Sequence, residues 1–273
     1  MATGGTVPLL YRVQVLDRTV GILQALADSH TDLGPAEIAQ RLSLHKSTTH
    51  RLLASLERYG YIHRQPTTGK YGLGLKLFEL GSRAVARLSL HGYAQPLLEE
   101  LVAETAETAH LAVMDRGQMV SVVIAESPWT VRTPATVGRR TPMHCTAVGK
   151  AMLATLPEPA LHAFFEHYAL QAYTRKTLTT PVALACDLDK IRKRGYAVDD
   201  EEMEDGLRCV GAAVRNHSGN PIGSISIVGP AFRIGRSRFT ALGRVVVTAA
   251  GRVSASLGYD PTRQTSCTGR PAV

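Results

Sequence analysis

The sequence has few of the residues that build disulfide frameworks and metal sites. Its four cysteines are scattered over 273 residues, and no two of them form a CxxC pair. A disulfide framework is therefore not expected in a chain of this size. Cys145 directly follows His144, but adjacent residues make poor co-ligands, so we expect neither a metal site nor a cofactor.

Segments typical of membrane proteins and of common enzymes are also missing. No apolar run approaches the ~20 residues that a membrane-spanning helix needs, and the first residues lack the features of a secretion signal. We therefore expect a cytoplasmic protein that does not bind membranes. The sequence has no GxSxG elbow and no phosphate-binding glycine loop. Since His144 and Cys145 also lack an orienting third group, we predict no catalytic residues and no enzyme.

Positive charge is present in excess but is unevenly distributed. The net charge is +8, with +3 in residues 1–74, −3 in residues 94–228 and +6 in residues 229–273. Within residues 44–70, five Lys or Arg and three His accompany a single Glu. Such local density suits a DNA-contacting surface, although a solvated charged face would have the same composition.

Residues 12–74 have the pattern of a winged helix-turn-helix domain. Apolar residues at helical spacing predict two helices before Ser43 and a third that starts at Ser47 as N-cap and ends near Gly60. A β-hairpin follows, with basic residues on both sides of a Pro-Thr-Thr-Gly turn. A small three-helix bundle with a hairpin is the alternative, but the polar start of the third helix and the basic hairpin favour DNA binding.

The third helix is predicted to enter the major groove of double-stranded DNA, while the hairpin lies along the backbone. Thr48 and Arg51 are predicted to contact bases. Lys46, Arg64 and Lys70 are predicted to bind phosphates. The predicted DNA contacts are Lys46, Ser47, Thr48, Thr49, His50, Arg51, Arg64 and Lys70.

The remaining chain predicts a linker helix and a second domain. The wide apolar face of residues 75–92 is expected to pack on the same helix of a second subunit, or alternatively on its own C-terminal domain. In residues 93–258, where Pro96 is expected to open the first helix, helices alternate with antiparallel hairpins. This alternation predicts an α+β domain built on one mixed or antiparallel sheet. Residues 259–273 read as a disordered tail.

Several long motifs then carry a specific resemblance. They include AEIAQRLSLHKSTTHRLLASLERYGYIHRQPTTGKYGLG near the N-terminus, and TPMHCTAVGKAMLA, KRGYAVDDEEMEDGLRCVGAAV and PIGSISIVGP further on. In order and spacing, from about residue 14 to 258, they resemble the IclR family of bacterial transcriptional regulators. The resemblance implies a winged-helix domain, a dimerising linker helix, a C-terminal effector-binding domain related to GAF domains, and homodimers or dimers of dimers.

The resemblance also implies where a small-molecule effector binds. In similar proteins a small acid or aromatic compound lies between the start of the MHCTAVGK helix and the sheet, where unpaired backbone N–H groups suit a carboxylate or carbonyl oxygen. Trp129 and Met143 are added as candidates for the cavity wall. The residues at the matching motif positions are Ala147, Val148, Asp199, Cys209, Ser226 and Val228.

Some of these residues have a plainer interpretation. Cys209 also has the pattern of a buried thiol in a strand. The Ser226 hydroxyl is equally consistent with a hydrogen bond to a neighbouring residue. The acidic run that begins at Asp199 reads as a solvated loop with only Asp199 turned inward, with a divalent-cation site as the alternative.

Departures from the family pattern bear on the ligand. One member has a serine in place of Val228 and smaller residues in place of Ala147 and Val148. The additional methyl groups in this chain predict an effector that is more apolar than a two-carbon acid, namely an aromatic acid or a related amide.

We therefore predict a ligand-responsive transcriptional regulator, with repression as its mode. The alternatives are a small-molecule-binding enzyme or sensor domain whose helix-turn-helix contacts proteins, and a structural nucleoid protein. The enzyme alternative would require a paired acid and base or a cofactor motif, and the nucleoid protein would require no acidic pocket domain.

Overall fold

A computed structural model of the protein describes residues 13–29, 31–86, 90–133 and 135–260, with side chains omitted for 82–86. The described residues divide into two compact units, with the boundary between residues 87 and 88. The frayed start and the disordered tail that the sequence predicts lie mostly outside the described residues. Every helix in the described part of the chain is too short or too polar to cross a membrane.

The N-terminal unit has the predicted winged helix-turn-helix architecture. Its core consists of apolar side chains from the three helices and the hairpin, among them Ile22, Ile38, Leu53 and Ile62. The elements are α1 (Gln14–Ala27), α2 (Pro35–Arg41), α3 (Lys46–Arg58), β1 (Ile62–Arg64), β2 (Tyr71–Leu73) and α4 (Leu75–Ala86). An isolated bridge between Leu33 and Tyr71 ties the connection before α2 to the hairpin.

The turn between α2 and α3 is set by a left-handed residue. Ser43 has φ of +52°, and the N–H groups of Ser43 and Leu44 donate to the carbonyls of Gln40 and Ala39. This pattern closes the C-terminus of α2 as a Schellman motif does. As a result α3 begins at Lys46 with His45 as N-cap, and the prediction that Ser47 caps the helix was wrong.

Gly60 ends α3 as predicted. It has φ of +74°, and the N–H groups of Gly60 and Tyr61 donate to the carbonyls of Glu57 and Leu56 at 2.9 Å. Glycine adopts this left-handed conformation without the Cβ clash that other residues meet. The chain can therefore reverse directly into the wing.

The C-terminal unit is an α+β domain, as predicted. Its single described sheet has six strands in the order β5-β4-β3-β8-β7-β6, and every neighbouring pair is antiparallel. The strands are β3 (Thr108–Asp115), β4 (Gln118–Ala125), β5 (Arg140–Pro142), β6 (Ala197–Asp200), β7 (Leu207–Arg215) and β8 (Pro221–Pro230). The helices are α5 (Leu90–Thr105), α6 (Ala147–Leu153), α7 (Glu158–His167), α8 (Pro181–Arg194) and α9 (Phe239–Ser256).

Alternation along the strands separates two apolar layers. Ile225 and Ile227 of β8 pack with residues of α5 and α9. Ala112 of β3 and Met119 of β4 belong to a second cluster with α6, α7 and α8. Ser226 points away from its isoleucine neighbours, as expected from the period of two, and so faces the layer that contains α6.

The first helix of this unit starts earlier than the sequence indicates. α5 runs from Leu90, so the boundary placed at residues 91–93 lies inside it, and Pro96 is an interior residue. A proline there removes one helical hydrogen bond. Leu90 and Ala94 are nevertheless completely buried against the C-terminal core, and this burial favours extending the helix toward its N-terminus. The last helix differs too, because a 3₁₀ turn at residues 236–238 precedes α9.

A glycine lets α6 lie close to the preceding backbone. A Cβ atom on Gly149 would come within 2.3 Å of the Met143 Cα and carbonyl oxygen. Since both are backbone atoms, a side chain can be accommodated only if the helix moves. The position of α6 over the sheet therefore depends on this residue.

We expect Gly149→Ala to lower the free energy of unfolding of the C-terminal unit by about 1–3 kcal/mol or more through overpacking. Gly251→Ala is the matched control, because the space beside helical Gly251 is empty; it should raise stability by about 0.5–1 kcal/mol through helix propensity. Urea unfolding of the full chain measures both. Equal effects of the two substitutions would contradict the role given to Gly149.

Candidate DNA interface and ligand cavity

The start of α3 presents polar and basic side chains to solvent. Lys46, Ser47, His50 and Arg51 are exposed, and Thr48 is half-buried. Because residues three and four apart share a helix face, Ser47 lies beside both His50 and Arg51. This face can reach base edges in a major groove.

Thr49 does not belong to that face. Its side chain is completely buried, and its hydroxyl donates to the His45 carbonyl at 3.2 Å. The prediction that Thr49 contacts DNA therefore fails, since Thr49 lies on the buried side of α3 with Leu53 and Leu56. Its hydroxyl instead supports the first turn of the helix.

The two basic residues of the wing lie on either side of its turn, as predicted. Arg64 is exposed, with its guanidinium 6.0 Å from the Tyr71 ring centroid. Lys70 is half-buried, and its Nζ lies 3.9 Å from Glu37 Oε2. Both cations flank the turn, which Gly69 closes with φ of +68°.

A cavity lies on the side of the large sheet that faces α6. Cross-strand pairing places Asp199, Cys209 and Val228 in one row over β6, β7 and β8. Ser226 and His110 form the next row on β8 and β3. All five line the cavity, and three strand spacings separate Asp199 from His110 by about 14 Å.

Two further segments complete the cavity wall. Thr146 caps α6 by accepting from the Gly149 N–H at 3.2 Å, which leaves the start of the helix, Ala147 and Val148, beside the cavity. Residues 133 and 135–141 supply the other segment. They are attached to β4, because the Ser121 N–H donates to the Arg139 carbonyl at 3.0 Å and the Gly138 N–H donates to the Ser121 carbonyl at 2.8 Å.

Six of the eight candidate effector residues line this cavity, but Met143 and Trp129 do not. Met143 is 1% exposed and packs in the core beneath α6. Trp129 is 52% exposed, and its ring lies 5.9 Å from the Arg233 guanidinium. Met143 precedes the helix on its core side, and Trp129 belongs to a surface loop.

Much of the cavity lining is not evident from the sequence. The polar residues of this group come from β3, β4 and residues 133 and 135–141. Strand pairing brings them to the site, for His110 faces the cavity because β3 pairs with β8. The principal missed residues are His110, Ser121, Thr133, Arg139, Thr141 and Met203.

Burial controls the ionisation of the groups in the cavity. It raises the pKa of Asp199 to about 7 and lowers the pKa of His110 to about 4, with the positive charge of Arg139 acting in the same direction on His110. Burial also raises the pKa of the Cys209 thiol. At neutral pH the imidazole and the thiol are therefore uncharged, and Asp199 titrates.

A buried ion cluster holds the acidic loop against α6. Lys150 is 1% exposed; its Nζ is 2.8 Å from Asp187 Oδ2 and is also bonded to Glu202 Oε1. The two carboxylates outweigh burial, so the pKa of Lys150 is raised. Glu202 is therefore buried together with Asp199, and the prediction that only Asp199 turns inward was wrong.

His144 and Cys145 both make contacts within the C-terminal unit. His144 Nε2 lies 2.9 Å from the Gln171 carbonyl oxygen, and Cys145 Sγ lies 3.7 Å from the Met203 sulfur. Burial raises the pKa of the Cys145 thiol to about 12. Among the described residues, no group of three or more His, Cys, Asp or Glu side chains could hold a metal ion.

A winged helix-turn-helix unit joined to an α+β unit with a cavity defines a regulator-like architecture, and family comparisons agree. Residues 15–66 match the IclR helix-turn-helix domain. Residues 82–255 match the C-terminal domain of the bacterial transcriptional regulator IclR. The chain belongs to the IclR family of bacterial transcriptional regulators.

Individual relatives extend over almost the whole chain. The acetate operon repressor of Salmonella typhimurium is 36% identical over 260 residues, which is 94% of each protein. The crystal structure of Thermotoga maritima IclR has a TM-score of 0.79 at 31% identity and covers 91% of this chain and 100% of its own. The crystal structure of an IclR homologue from Microbacterium hydrocarbonoxydans, complexed with 4-hydroxybenzoate, has a TM-score of 0.79 at 24% identity. The match covers 89% of this chain and 99% of the homologue, and it shows a shared fold.

We expect Lys150→Met to destabilise the C-terminal unit by about 3–5 kcal/mol, because Glu202 and Asp187 would lose their buried cation. Lys176→Met is the control. Its side chain is 41% exposed and pairs with Glu201, so its loss should cost about 1 kcal/mol or less. Chemical unfolding of both variants at neutral pH makes the comparison. Similar losses would show that the buried cluster contributes no more than a surface pair.

Proposed function

We propose that this regulator is a repressor whose binding to operator DNA is controlled by a small organic or aromatic acid, or a related amide. The observation that carries the proposal is the presence, in one IclR-family chain, of an exposed basic helix start in a winged helix-turn-helix unit and of a cavity in the second unit. Its relatives include proteins named as repressors, which supports repression as the mode. As a repressor of bacterial operators, it would act in the cytoplasm.

The DNA interface would consist of α3 and the wing. We assign base reading to the face that contains Thr48 and Arg51, and phosphate contacts to Lys46, Arg64 and Lys70. Arg51 suits a base contact because a guanidinium can donate two hydrogen bonds to guanine. The exposure of the α3 face and the positions of the wing cations support this division of roles.

Two copies of α3 would act together on one operator. Leu75, Phe78 and Leu80 of α4 are 84%, 74% and 41% exposed in the single chain. Large apolar side chains clustered on one helix are typical of a surface covered by another protein. We propose that α4 pairs with α4 of a second copy, giving a homodimer that can pair further into a dimer of dimers.

The cavity would bind its ligand without transforming it. Its empty volume is about 630 Å³, including the space at its open mouth. Val148, Val228 and Leu207 supply an apolar wall suited to a ring. The family consists of transcriptional regulators, which supports a binding role.

We expect Arg51→Ala to relax sequence preference by about 1–3 kcal/mol at the contacted base pair. Lys70→Ala should instead weaken all sequences alike and flatten the dependence of affinity on salt, since it would remove one phosphate contact. Gel-shift titrations on an operator and on mismatched duplexes at several salt concentrations measure both effects. An equal loss on every duplex for Arg51→Ala would make Arg51 a backbone contact.

Aromatic acids should bind the full-length protein more tightly than glyoxylate or pyruvate, because Val148 and Val228 exclude water from a ring better than they accommodate a two-carbon acid. Calorimetry with benzoate, phenylacetate, glyoxylate and pyruvate tests this. The same ligands should shift operator affinity in gel-shift assays. Tight binding of glyoxylate or pyruvate with none of the aromatic acids would refute the assignment.

A further inference from the structure

The cavity has a polar end that lies away from the start of α6. At this end His110 and Ser121 come from β3 and β4, while Thr133, Arg139 and Thr141 follow β4 in the chain. The set contains one cation, several hydroxyls and no carboxylate. The described carboxylates of the cavity lining, Asp199 and Glu204, belong to the strand and loop on the other side.

One hydroxyl of this set lacks a partner. Thr133 is 9% exposed and lines the cavity, and its Oγ1 atom makes no hydrogen bond. A buried hydroxyl without a partner costs free energy of about 1–3 kcal/mol. A ligand oxygen in the cavity would satisfy it.

The guanidinium of Arg139 acts on the interior of the cavity. Its positive charge helps to lower the pKa of the His110 imidazole after burial, and opposes the rise that burial causes in the pKa of the Cys209 thiol. Its backbone is fixed to β4 through Ser121, and β4 lies four strands away from β6, which carries Asp199. Arg139 therefore supplies positive potential inside the cavity, at His110 and Cys209.

The neutral imidazole of His110 fits the same end. Its Nε2 lies 3.4 Å from Ser226 Oγ across the β3–β8 pair, so it either donates to or accepts from its surroundings without adding charge. Uncharged donors beside a guanidinium are well suited to a carboxylate, because hydrogen bonds to an ionised acceptor are stronger than neutral ones.

We propose that the acid group of the effector binds at this β3–β4 end, to Arg139 and Thr133, and that these two residues determine the preference for an acid over its amide. The remainder of the effector extends toward α6, with its ring or chain against Val148 and Val228. Asp199 meets the far end of the ligand. This assignment rests on the proposed function, since it names the determinants of the same site.

The test compares each acid with its own amide on the full-length protein. Calorimetry with benzoate and benzamide, and with phenylacetate and phenylacetamide, is run on the wild type and on Arg139→Gln. Arg140→Gln is the matched control, because Arg140 is an exposed arginine like its neighbour Arg139 but pairs with Asp115 and lies outside the cavity lining. We expect Arg139→Gln to weaken the acids about tenfold or more, to leave the amides within about twofold, and Arg140→Gln to change neither.

Thr133→Val gives a second, independent readout. Removing an unpartnered buried hydroxyl should leave the thermal midpoint of the free protein unchanged or raised. The same substitution should weaken the acids by about two- to tenfold. A structural role alone would lower the midpoint instead.

The outcomes distinguish a failure of the proposed effector class from a failure of the proposed position of its acid group. If none of the acids binds the wild type, the proposed effector class is wrong. If acids bind and Arg139→Gln loses no more affinity for them than Arg140→Gln does, the acid group lies elsewhere and this inference is overturned. Equal losses for acids and amides would also overturn it, since Arg139 would then not recognise charge.

Discussion

The ligand cavity depends on the ion pairs that the buried ammonium of Lys150 makes. A fully desolvated cation is stable only when carboxylates surround it closely, and here Asp187 of α8 and Glu202 of the acidic loop do so. Glu202 also donates its backbone N–H to Asp199 Oδ1 at 2.7 Å. The ion cluster therefore positions a side chain of the cavity itself. The hydroxyls of Thr174 and Thr177 reinforce the loop through the Glu201 and Glu202 carbonyls.

Close backbone packing is the second constraint on the same helix. Gly149 lets α6 approach the Met143 backbone, and at Gly211 of β7 a Cβ would lie 3.1 Å from the Ala147 carbonyl group. These two glycines place the start of a short helix directly above the sheet. Strand alternation then decides which side chains it meets, so Ser226 reaches the cavity while Ile225 and Ile227 fill the opposite core.

Local rules predicted some element boundaries correctly. Gly60, Gly195 and the Arg116–Gly117 pair have the positive φ angles that end helices and close hairpins, and the end of α3 at Gly60 was predicted. Where tertiary burial dominates, prediction failed. Leu90 and Ala94 extend α5 past the expected start at Pro96, and Thr49 turns inward although its type and position resemble those of its exposed neighbours. His110 could not be identified because strand pairing, which one sequence does not specify, brings it to the cavity. Arg139 could not be identified because a backbone hydrogen bond to Ser121 of β4 brings it there.

The two walls of the cavity are held very differently, and this difference bears on regulation. The acidic loop is fixed by a buried ion cluster and by threonine hydroxyls, whereas backbone hydrogen bonds to Ser121 attach the segment of residues 133 and 135–141 to β4. A ligand shifts a conformational equilibrium only by the difference between its affinities for the two states. A ligand that bridges both walls makes contacts that depend on the position of the more weakly held one. Binding energy collected at Arg139 and Thr133 would therefore favour one arrangement of that segment, while contacts to the fixed wall near Asp199 would add affinity without selecting between states.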